Sequence, residues 1–388
     1  MNAIKKIFLR EAGILLNDRD ILIITLIVPL TYVIFYGSLY YYKTQTKEPV
    51  VIVDRNHSAL SRSFIRDIDA NEYASVVRVT GDMEQARDMF YRGNAQAIVQ
   101  IPENFEQDIE SGKGTTVPAY LNTSRFLIAN DLNKALSQVA FTFGDGVQIT
   151  YFESRGANME QSMRLVEPLR LDFRPMFNTS ESYGNFILPG LLPLILCQAL
   201  LFALSESFSR ERETKSLGEL YKMSGENIRS AIFGKGAFYL VFFSAFSLFT
   251  FVIYFSFFKL NMNGNMFALA VITLLALASV IFMGFFVSSF FREKIVSFQF
   301  LVFTSYPFFF ITGLSWPTLA LPSPIKAFAL LLPTTPYLQS VMRLTQMGGS
   351  WSDVWQQLSL LVILCAGYYM LAHMRFRQLI KMESTSQV

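Results

Sequence analysis

The residues with the clearest chemical potential lie close together at Asp54, His57 and Ser58. An aspartate, a histidine and a serine are the residue types of a nucleophilic triad, in which the histidine accepts the proton of the serine hydroxyl. At this short spacing, however, a turn aspartate, a surface histidine and a helix N-cap explain all three. No second histidine or cysteine lies near His57 to complete a metal site. We therefore predict neither a catalytic residue nor a metal ligand.

Two glycine-lysine pairs raise the question of phosphate binding, in Gly112-Lys113-Gly114 and Gly234-Lys235-Gly236. A phosphate loop has the pattern G-x-x-x-x-G-K-[ST], whose backbone and hydroxyl hold the phosphates and the magnesium ion. Both pairs lack the upstream glycine and the hydroxyl, and no other segment has the pattern. The sequence therefore predicts no nucleotide site on this chain.

The most informative polar segment is residues 209–235, which joins two hydrophobic runs. Apolar and small residues recur there at helical spacing, which predicts a short amphipathic helix ended by Gly225. We expect its apolar ridge to dock into a groove of a soluble partner. The predicted docking residues are Glu211, Arg212, Glu213, Leu217, Glu219, Leu220 and Tyr221, with Ser224 on the same face. The alternative is a solvated, positively charged loop with an interfacial helix.

The composition indicates what kind of protein must position this segment. Of 388 residues, 52% are apolar and 16% are charged, and the mean hydropathy is +0.34. A soluble domain typically has about 25% charged residues. The net charge of +3 is too small to predict a nucleic-acid partner, and two cysteines exclude a disulfide-rich secreted fold. The chain is therefore predicted to be a membrane protein.

Six apolar runs are candidates for transmembrane helices, each of which needs about 20 apolar residues. They cover residues 21–42, 186–208, 236–258, 266–291, 297–313 and 358–374. A cleaved signal peptide is the alternative for the first run. The run is too long for one, and no small-residue cleavage site follows it.

The distribution of lysine and arginine predicts the orientation, because these residues are enriched in cytoplasmic flanks. Fifteen lie in the flanks on the side of the N-terminus, and three lie in the short loops of the other side. We therefore expect a multi-pass protein of the cytoplasmic membrane with both termini inside. An amphipathic helix within residues 1–20 would lie at the inner interface, and residues 375–388 would form a cytoplasmic tail.

The segment 43–183 has no spanning run and is expected outside. Predicted strands at 50–53, 76–79, 97–101 and 117–121 alternate with helices, two of them capped by Ser58 and Asp82. A long helix is predicted over about 127–156. This alternation predicts a small α/β domain with a mixed or parallel sheet. We expect this domain to present a surface that binds a substrate or a partner.

Five prolines interrupt the hydrophobic segment 314–338 between the last two runs. A straight transmembrane helix would not tolerate that many prolines. Irregular backbone occurs at membrane depth only where protein or water forms hydrogen bonds with its N–H and C=O groups. We predict two short re-entrant helices on the outer side, with Trp316 near the interface. An ordinary hydrophobic outer loop is the alternative.

The motifs of the polar segment and the order of the spans resemble ABC-2 type exporter permeases with a type V fold. The motif residues are Arg210-Glu211-Arg212-Glu213, Ser216-Leu217-Gly218-Glu219-Leu220 and Gly234-Lys235, together with Phe177-Asn178, Phe186 and Pro189-Gly190 before and within the second run. Ser216, Gly218 and residues 222–225 depart from the family's pattern. The expected fold is an α-helical membrane protein with six transmembrane helices, a re-entrant outer segment and an inserted α/β extracytoplasmic domain. A five-helix region would occupy residues 184–374.

The resemblance implies export of a hydrophobic or amphipathic compound, driven by a separate ABC ATPase that carries the ATP and magnesium and pushes on the helix at 217–224. It also implies a dimer with a second copy or a sister permease, and an outer gate. The gate residues would be Trp316, Pro317, Pro333 and Pro336. A periplasmic adaptor and an outer-membrane channel would join this transporter complex if the cell has them.

Two other functions stay open at the level of sequence. A membrane-anchored receptor or scaffold would use the outer domain to bind a ligand or partner and the spans to anchor it. A secondary transporter would show internal repeats or charges at the membrane midplane, and the sequence shows neither. The receptor hypothesis leaves the five closely spaced C-terminal runs and the motif-bearing segment unexplained.

Overall fold

The computed structural model describes residues 3–41, 45–166 and 174–385. The chain divides into two compact units. The membrane unit consists of Met1–Lys43 and Pro175–Val388, and the α/β unit of Thr44–Arg174. Each unit has its own hydrophobic core.

The membrane unit begins with helix α1 (Ala3–Asn17), which buries Ile7, Glu11 and Leu15 along one face. Helix α2 (Arg19–Leu22), a π-helical turn (Ile23–Ile27) and helix α3 (Val28–Leu39) follow. The wide turn stands immediately before Pro29, at the start of α3. Proline lacks an N–H group and its ring clashes with the carbonyl four residues earlier, so the backbone widens there.

The α/β unit contains four strands and five helices in the described residues. They are β1 (Glu48–Asp54), α4 (Ala59–Ala70), β2 (Ala74–Thr80), α5 (Met83–Tyr91), β3 (Ala97–Ile101), α6 (Phe105–Glu110), β4 (Ala119–Leu121), α7 (Phe126–Ser154) and α8 (Met159–Val166). The predicted N-caps are confirmed: the Ser58 side chain accepts from the Ser61 N–H, and the Asp82 side chain from the Glu84 N–H.

The sheet has the strand order β2-β1-β3-β4. Strand β1 is parallel to both of its neighbours, and β4 is antiparallel to β3. Val50 and Ile52 face a core with α4 and α7, whereas Val51 and Val53 face α5. Burial on both faces explains why the central strand is an uninterrupted apolar run. The sheet of this α/β unit is mixed, which is one of the two arrangements predicted.

The rest of the membrane unit is helical. Its elements are α9 (Tyr183–Glu213), α10 (Leu217–Met223), α11 (Ile228–Leu248), a π-helical turn (Phe249–Tyr254), α12 (Phe255–Phe257), α13 (Met266–Ser288), α14 (Lys294–Ile311), a 3-10 turn (Thr318–Ala320), α15 (Ser323–Ala329), α16 (Thr334–Thr345) and α17 (Trp351–Thr385).

Five helices in the described part of the chain are long and apolar enough to cross a membrane. They are Tyr183–Glu213, Ile228–Phe257, Met266–Ser288, Lys294–Ile311 and Trp351–Glu383. The chain is therefore a helical, multi-pass membrane protein. The predicted first span corresponds to a shorter apolar helix, Ile23–Leu39, so the number of six spans stays a prediction.

Helix α9 is central to the membrane unit. The most apolar 18-residue stretch of α9 is 83% buried. The helix packs against α3, α11, α13, α14 and α16. The corresponding apolar stretch of α14, by contrast, is only 11% buried. The apolar surface of α14 therefore needs lipid or a second chain to cover it.

The prolines of segment 314–338 stand where helices begin. Pro317 precedes the 3-10 turn, Pro322 and Pro324 flank the start of α15, and Pro333 and Pro336 stand at the start of α16. A missing N–H costs little in a first helical turn. The predicted break into short helices is confirmed, and their entry into the membrane from the outer side stays a prediction.

The α/β unit offers a test of its core. Ile52→Ala should lower the free energy of unfolding of this unit by about 2–5 kcal/mol, because it leaves a cavity next to Phe64 and Ile101. Urea-dependent proteolysis of the full chain would measure the change. Val79→Ala is the control, since Val79 is 48% exposed in β2; it should cost less than about 1 kcal/mol. Equal losses for the two variants would contradict the packing described.

Candidate functional site

Helix α10 (Leu217–Met223) forms where a short helix was predicted, and Gly225 ends it with a φ of +70°. Its apolar ridge does not face outward. Leu217 is 2% exposed and Leu220 is 0% exposed, in contact with the membrane unit's own α1, α11 and α17. In this structure the chain itself buries Leu217 and Leu220, which leaves little of either side chain for a partner's groove. Their role in coupling to a partner stays a prediction. The helical spacing defined an apolar face correctly, but this chain itself supplies the cover.

The opposite face of α10 is open to solvent. Glu219 and Lys222 are exposed, Met223 is 37% exposed and Tyr221 is half-buried. A partner can reach this side of the helix. Of the predicted docking residues on α10, Glu219 and Tyr221 remain available, and their role in coupling stays a prediction.

The charged end of α9 is used within the chain rather than presented to solvent. Arg210 forms an ion pair with Asp18, with Nη1 at 2.7 Å from Oδ2. Glu206, one turn earlier, pairs with Lys294 at 2.9 Å. The end of α9 is thereby joined to the residue after α1 and to the start of α14.

Two further charged residues of this run, Arg212 and Glu213, form hydrogen bonds with backbone groups at the ends of two helices. Arg212 donates from Nη1 to the backbone oxygens of Ser289 and Phe291, at 2.6 and 2.7 Å, just after α13. Glu213 accepts from the Lys294 N–H at 3.2 Å, at the first residue of α14. A cation at a helix C-terminus and an anion at an N-terminus both complement the helix dipole. Arg212 and Glu213 therefore hold the turn between α13 and α14.

Glu211 belongs to a group of four charges, Arg10, Glu11, Glu211 and Lys235, here named the ion cluster. Three of them are buried, and the side chain of Arg10 is 24% exposed. Lys235 Nζ donates to Glu11 Oε1 at 2.8 Å and to Glu211 Oε1 at 3.1 Å. Arg10 Nη2 donates to Glu211 Oε2 at 3.0 Å, and Arg10 also pairs with Glu11 at 3.3 Å. The cluster joins α1, α9 and α11.

Neutral side chains complete the hydrogen bonding of the two carboxylates. Ser207 donates to Glu11 Oε2 at 2.9 Å, and Tyr239 donates to the same oxygen at 3.5 Å. Ser216, at the start of α10, donates to Glu211 Oε2. Through Ser216 the cluster also holds the first turn of α10.

Burial makes the balance of charges essential. The side chains of Lys235, Glu11 and Glu211 are 2%, 0% and 3% exposed. Burial of an ion lowers the stability of the fold by several kcal/mol unless opposite charges and hydrogen bonds compensate it. Loss of one member of the cluster would therefore leave the others buried without their partner. Burial alone lowers the pKa of Arg10, but its hydrogen bond with Glu211 and the nearby carboxylates raise that pKa above its usual value. Two cations face two anions, and the cluster is neutral as a whole.

Close packing of helices explains the glycines on either side of Lys235. A Cβ on Gly234 would lie 2.9 Å from Ile7 Cβ, and one on Gly236 would lie 3.2 Å from Ile281 Cγ2. Helix α1 therefore approaches α11 at Gly234, and α13 approaches it at Gly236. These glycines serve helix packing, and the lysine between them reaches the ion cluster.

Sequence reasoning missed Arg10, Glu11 and Lys235 as parts of this site. A signal was available for one of them. Glu11 lies on the same helical face as Ile7 and Leu15, at a spacing of four residues on each side. A carboxylate on the apolar face of a helix requires a buried partner, although the sequence does not tell which one.

The predicted gate residues fall into two groups. Trp316 is 55% exposed and Pro317 is exposed, whereas Pro333 and Pro336 are buried at the start of α16. The buried pair lies beside Tyr337, whose hydroxyl is 3.3 Å from Thr273 Oγ1. The structure thus places two of the four in the core, and a gating role for them stays a prediction.

The triad-like residues of the α/β unit have structural roles. Asp54 Oδ1 accepts from the N–H groups of Asn56 and His57, both at 3.0 Å, and Oδ2 accepts from Ser61 Oγ at 2.8 Å. Ser58 caps α4. The interpretation of Asp54 as a turn residue and Ser58 as a cap is confirmed.

The ion cluster leads to a direct test of stability. Lys235→Met should lower the stability of the membrane unit by about 3–5 kcal/mol, because Glu11 and Glu211 would stay buried without their cation. Thermal unfolding of the detergent-purified chain would measure this. Lys222→Met removes an exposed lysine of α10 and should change stability by about 0.5 kcal/mol at most. Similar unfolding temperatures for the two variants would refute the proposed importance of the cluster.

Comparison with known protein families gives a match over most of the chain. The family whose members are described as ABC-2 family transporter proteins matches residues 19–373. The matched range includes the end of α9, α10 and Lys235, and it begins after Arg10 and Glu11. A search of the curated proteins found none that matches this chain.

Proposed function

The chain belongs to the ABC-2 transporter family, and on this premise we propose that it exports a hydrophobic or amphipathic compound across the cytoplasmic membrane. Membership makes it a permease subunit of an ABC transporter, which works with an ABC ATPase subunit. ATP and magnesium would bind to that separate chain. The outward direction and the class of substrate are part of the proposal.

The ion cluster is the observation that supports this function best. It fixes α1, the end of α9 and the start of α11 to one point, and Ser216 adds α10. A force on α10 would therefore move these helices together instead of bending a loose loop. Such a rigid connection is what conversion of ATPase movement into helix movement requires.

The exposed face of α10 is the proposed contact for the ATPase. Glu219, Lys222 and Met223 lie there, on the side away from the buried Leu217 and Leu220. An apolar methionine flanked by charges of both signs suits a protein partner, because Met adapts to partner surfaces. The buried ridge of α10 holds the helix in place on its own chain.

A second permease is the proposed partner within the membrane. The apolar stretch of α14 is 11% buried, and α3 exposes Ile34 and Phe35 by more than half. A second copy or a sister permease, together with lipid, would cover these surfaces. A dimer of permeases with two ATPases is therefore the proposed assembly.

The proposed topology places both termini and α10 in the cytoplasm and the α/β unit outside. The excess of lysine and arginine in the flanks on the side of the N-terminus supports it. In a cell with an outer membrane, the α/β unit would face the periplasm and could meet an adaptor and an outer-membrane channel. The receptor alternative loses support, because the family match extends through the spans.

Co-purification tests the ATPase contact. The chain in mild detergent should retain an ATP-hydrolysing subunit at about one copy per permease. Met223→Glu should weaken this association about tenfold, equivalent to roughly 1.4 kcal/mol, since it places a carboxylate at the proposed interface. Met163→Glu is the matched control, because Met163 is an exposed methionine of α8, and it should leave the ATPase bound.

Gel filtration would check that both variants remain folded. Equal retention of the ATPase by Met223→Glu and by the control would contradict the proposed contact surface. Recovery of the chain without any ATPase, repeatedly and under gentle conditions, would contradict the proposed function as a whole.

A further inference from the structure

The α/β unit contains an open cavity of about 490 Å³, between α6 and the loop that follows it on one side and α7 on the other. Phe64 and Phe105, which are 3% and 2% exposed, lie at its inner end, with Phe143 beside them. The Phe64 ring centroid is 5.8 Å from that of Phe105 and 5.1 Å from that of Phe143. Small-molecule sites have volumes of about 300–1,000 Å³ and mainly apolar walls. The cavity meets both criteria.

The mouth of the cavity carries a positive charge. Lys113 is the one charged side chain among the described residues that line it. Its backbone N–H donates to the Asp108 carbonyl at 2.8 Å, and Gly112 before it has a φ of +73°. This turn fixes the backbone of Lys113. Within the described part of the chain, no carboxylate forms an ion pair with the Lys113 ammonium group.

A glycine of α7, Gly144, lies at the wall of the cavity and leaves open space there. A Cβ on Gly144 would meet no atom within 4 Å. Protein interiors otherwise pack densely, with few voids larger than a water molecule. An aromatic space of this size, open at a charged mouth, is therefore suited to a guest molecule.

We propose that this cavity binds an amphipathic molecule with a single apolar tail and a carboxylate head. The tail lies against the partly buried side chains of Ile109, Val117 and Phe143, with the buried rings of Phe64 and Phe105 behind them. There it removes apolar surface from water. The carboxylate accepts a charge-assisted hydrogen bond from Lys113 at the mouth. A purely apolar guest would gain nothing from the Lys113 ammonium group at the mouth. The inference does not depend on the proposed function, because no residue of the membrane unit takes part.

Photo-crosslinking in lipid nanodiscs tests the site on the full chain. The probe is palmitic acid with a diazirine in its tail, and the comparison probe is the hexadecanol with the same diazirine. Peptide mass spectrometry should find the acid attached within residues 105–118 and 140–152. The acid should label these peptides about tenfold more than the alcohol, the factor expected for one charge-assisted hydrogen bond. Labelling of α14, whose apolar surface is largely exposed, serves as the internal reference.

Three variants decide the outcome. Gly144→Phe fills the cavity and should reduce the labelling about tenfold, a loss of roughly 1.4 kcal/mol. Gly146→Phe is the matched control: it lies on α7, meets no atom within 4 Å and does not line the cavity, so labelling should persist. Lys113→Gln changes only an exposed residue, and it should reduce labelling by the acid to the level of the alcohol.

The same samples would be checked for folding by limited proteolysis. If Gly144→Phe disturbs the fold, the Lys113→Gln comparison of acid with alcohol still decides. Equal labelling by both probes in the unchanged chain, or labelling confined to the membrane helices, would overturn the proposal. Acid labelling that Lys113→Gln leaves unchanged would overturn it as well.

Discussion

The buried ammonium group of Lys235 imposes the strictest constraint on the membrane unit. It is 2% exposed at its side chain and must have both Glu11 and Glu211 within hydrogen-bond distance. Because these partners come from different helices, α1, α9 and α11 must meet at one point. Gly234 makes the meeting sterically feasible, since any side chain there would collide with Ile7.

The cluster specifies an arrangement more than it adds stability. Well-packed apolar residues in place of a buried ion pair are often equally or more stable, whereas a single unpaired charge is strongly destabilising. Misplacing one of the three helices would leave such a charge. A helix of seven residues such as α10 (Leu217–Met223) is too short to be stable alone, so this framework also positions α10.

Local features of the fold could be predicted from the sequence because their causes are local. The Ser58 and Asp82 caps depend on the next two or three residues, and the Gly225 helix end depends on one φ angle. Long-range partners could not be predicted in this way. Glu11 and Lys235 are 224 positions apart, and nothing in their local sequence shows which carboxylate will meet the lysine.

The direction of the apolar face of α10 was unpredictable for the same reason. Periodicity shows that Leu217 and Leu220 share a face, but it does not show whether another protein or the same chain covers it. The charges Arg210 to Glu213 raised the same ambiguity. A run of alternating signs is typical of a partner surface and equally of the joints between helices, which is where the structure uses it.

The central claim is that the ion cluster makes α1 and α10 one rigid body. Spin labels at Leu9 and at Lys215, which lies just before α10 and outside the proposed ATPase contact, would be placed on two exposed residues. Pulsed electron resonance would report their separation in the permease-ATPase complex. We predict the same distance distribution without nucleotide and with ATP trapped, and a changed distribution only when Glu11→Gln weakens the cluster. A distance that shifts with ATP in the otherwise unchanged chain would contradict the claim.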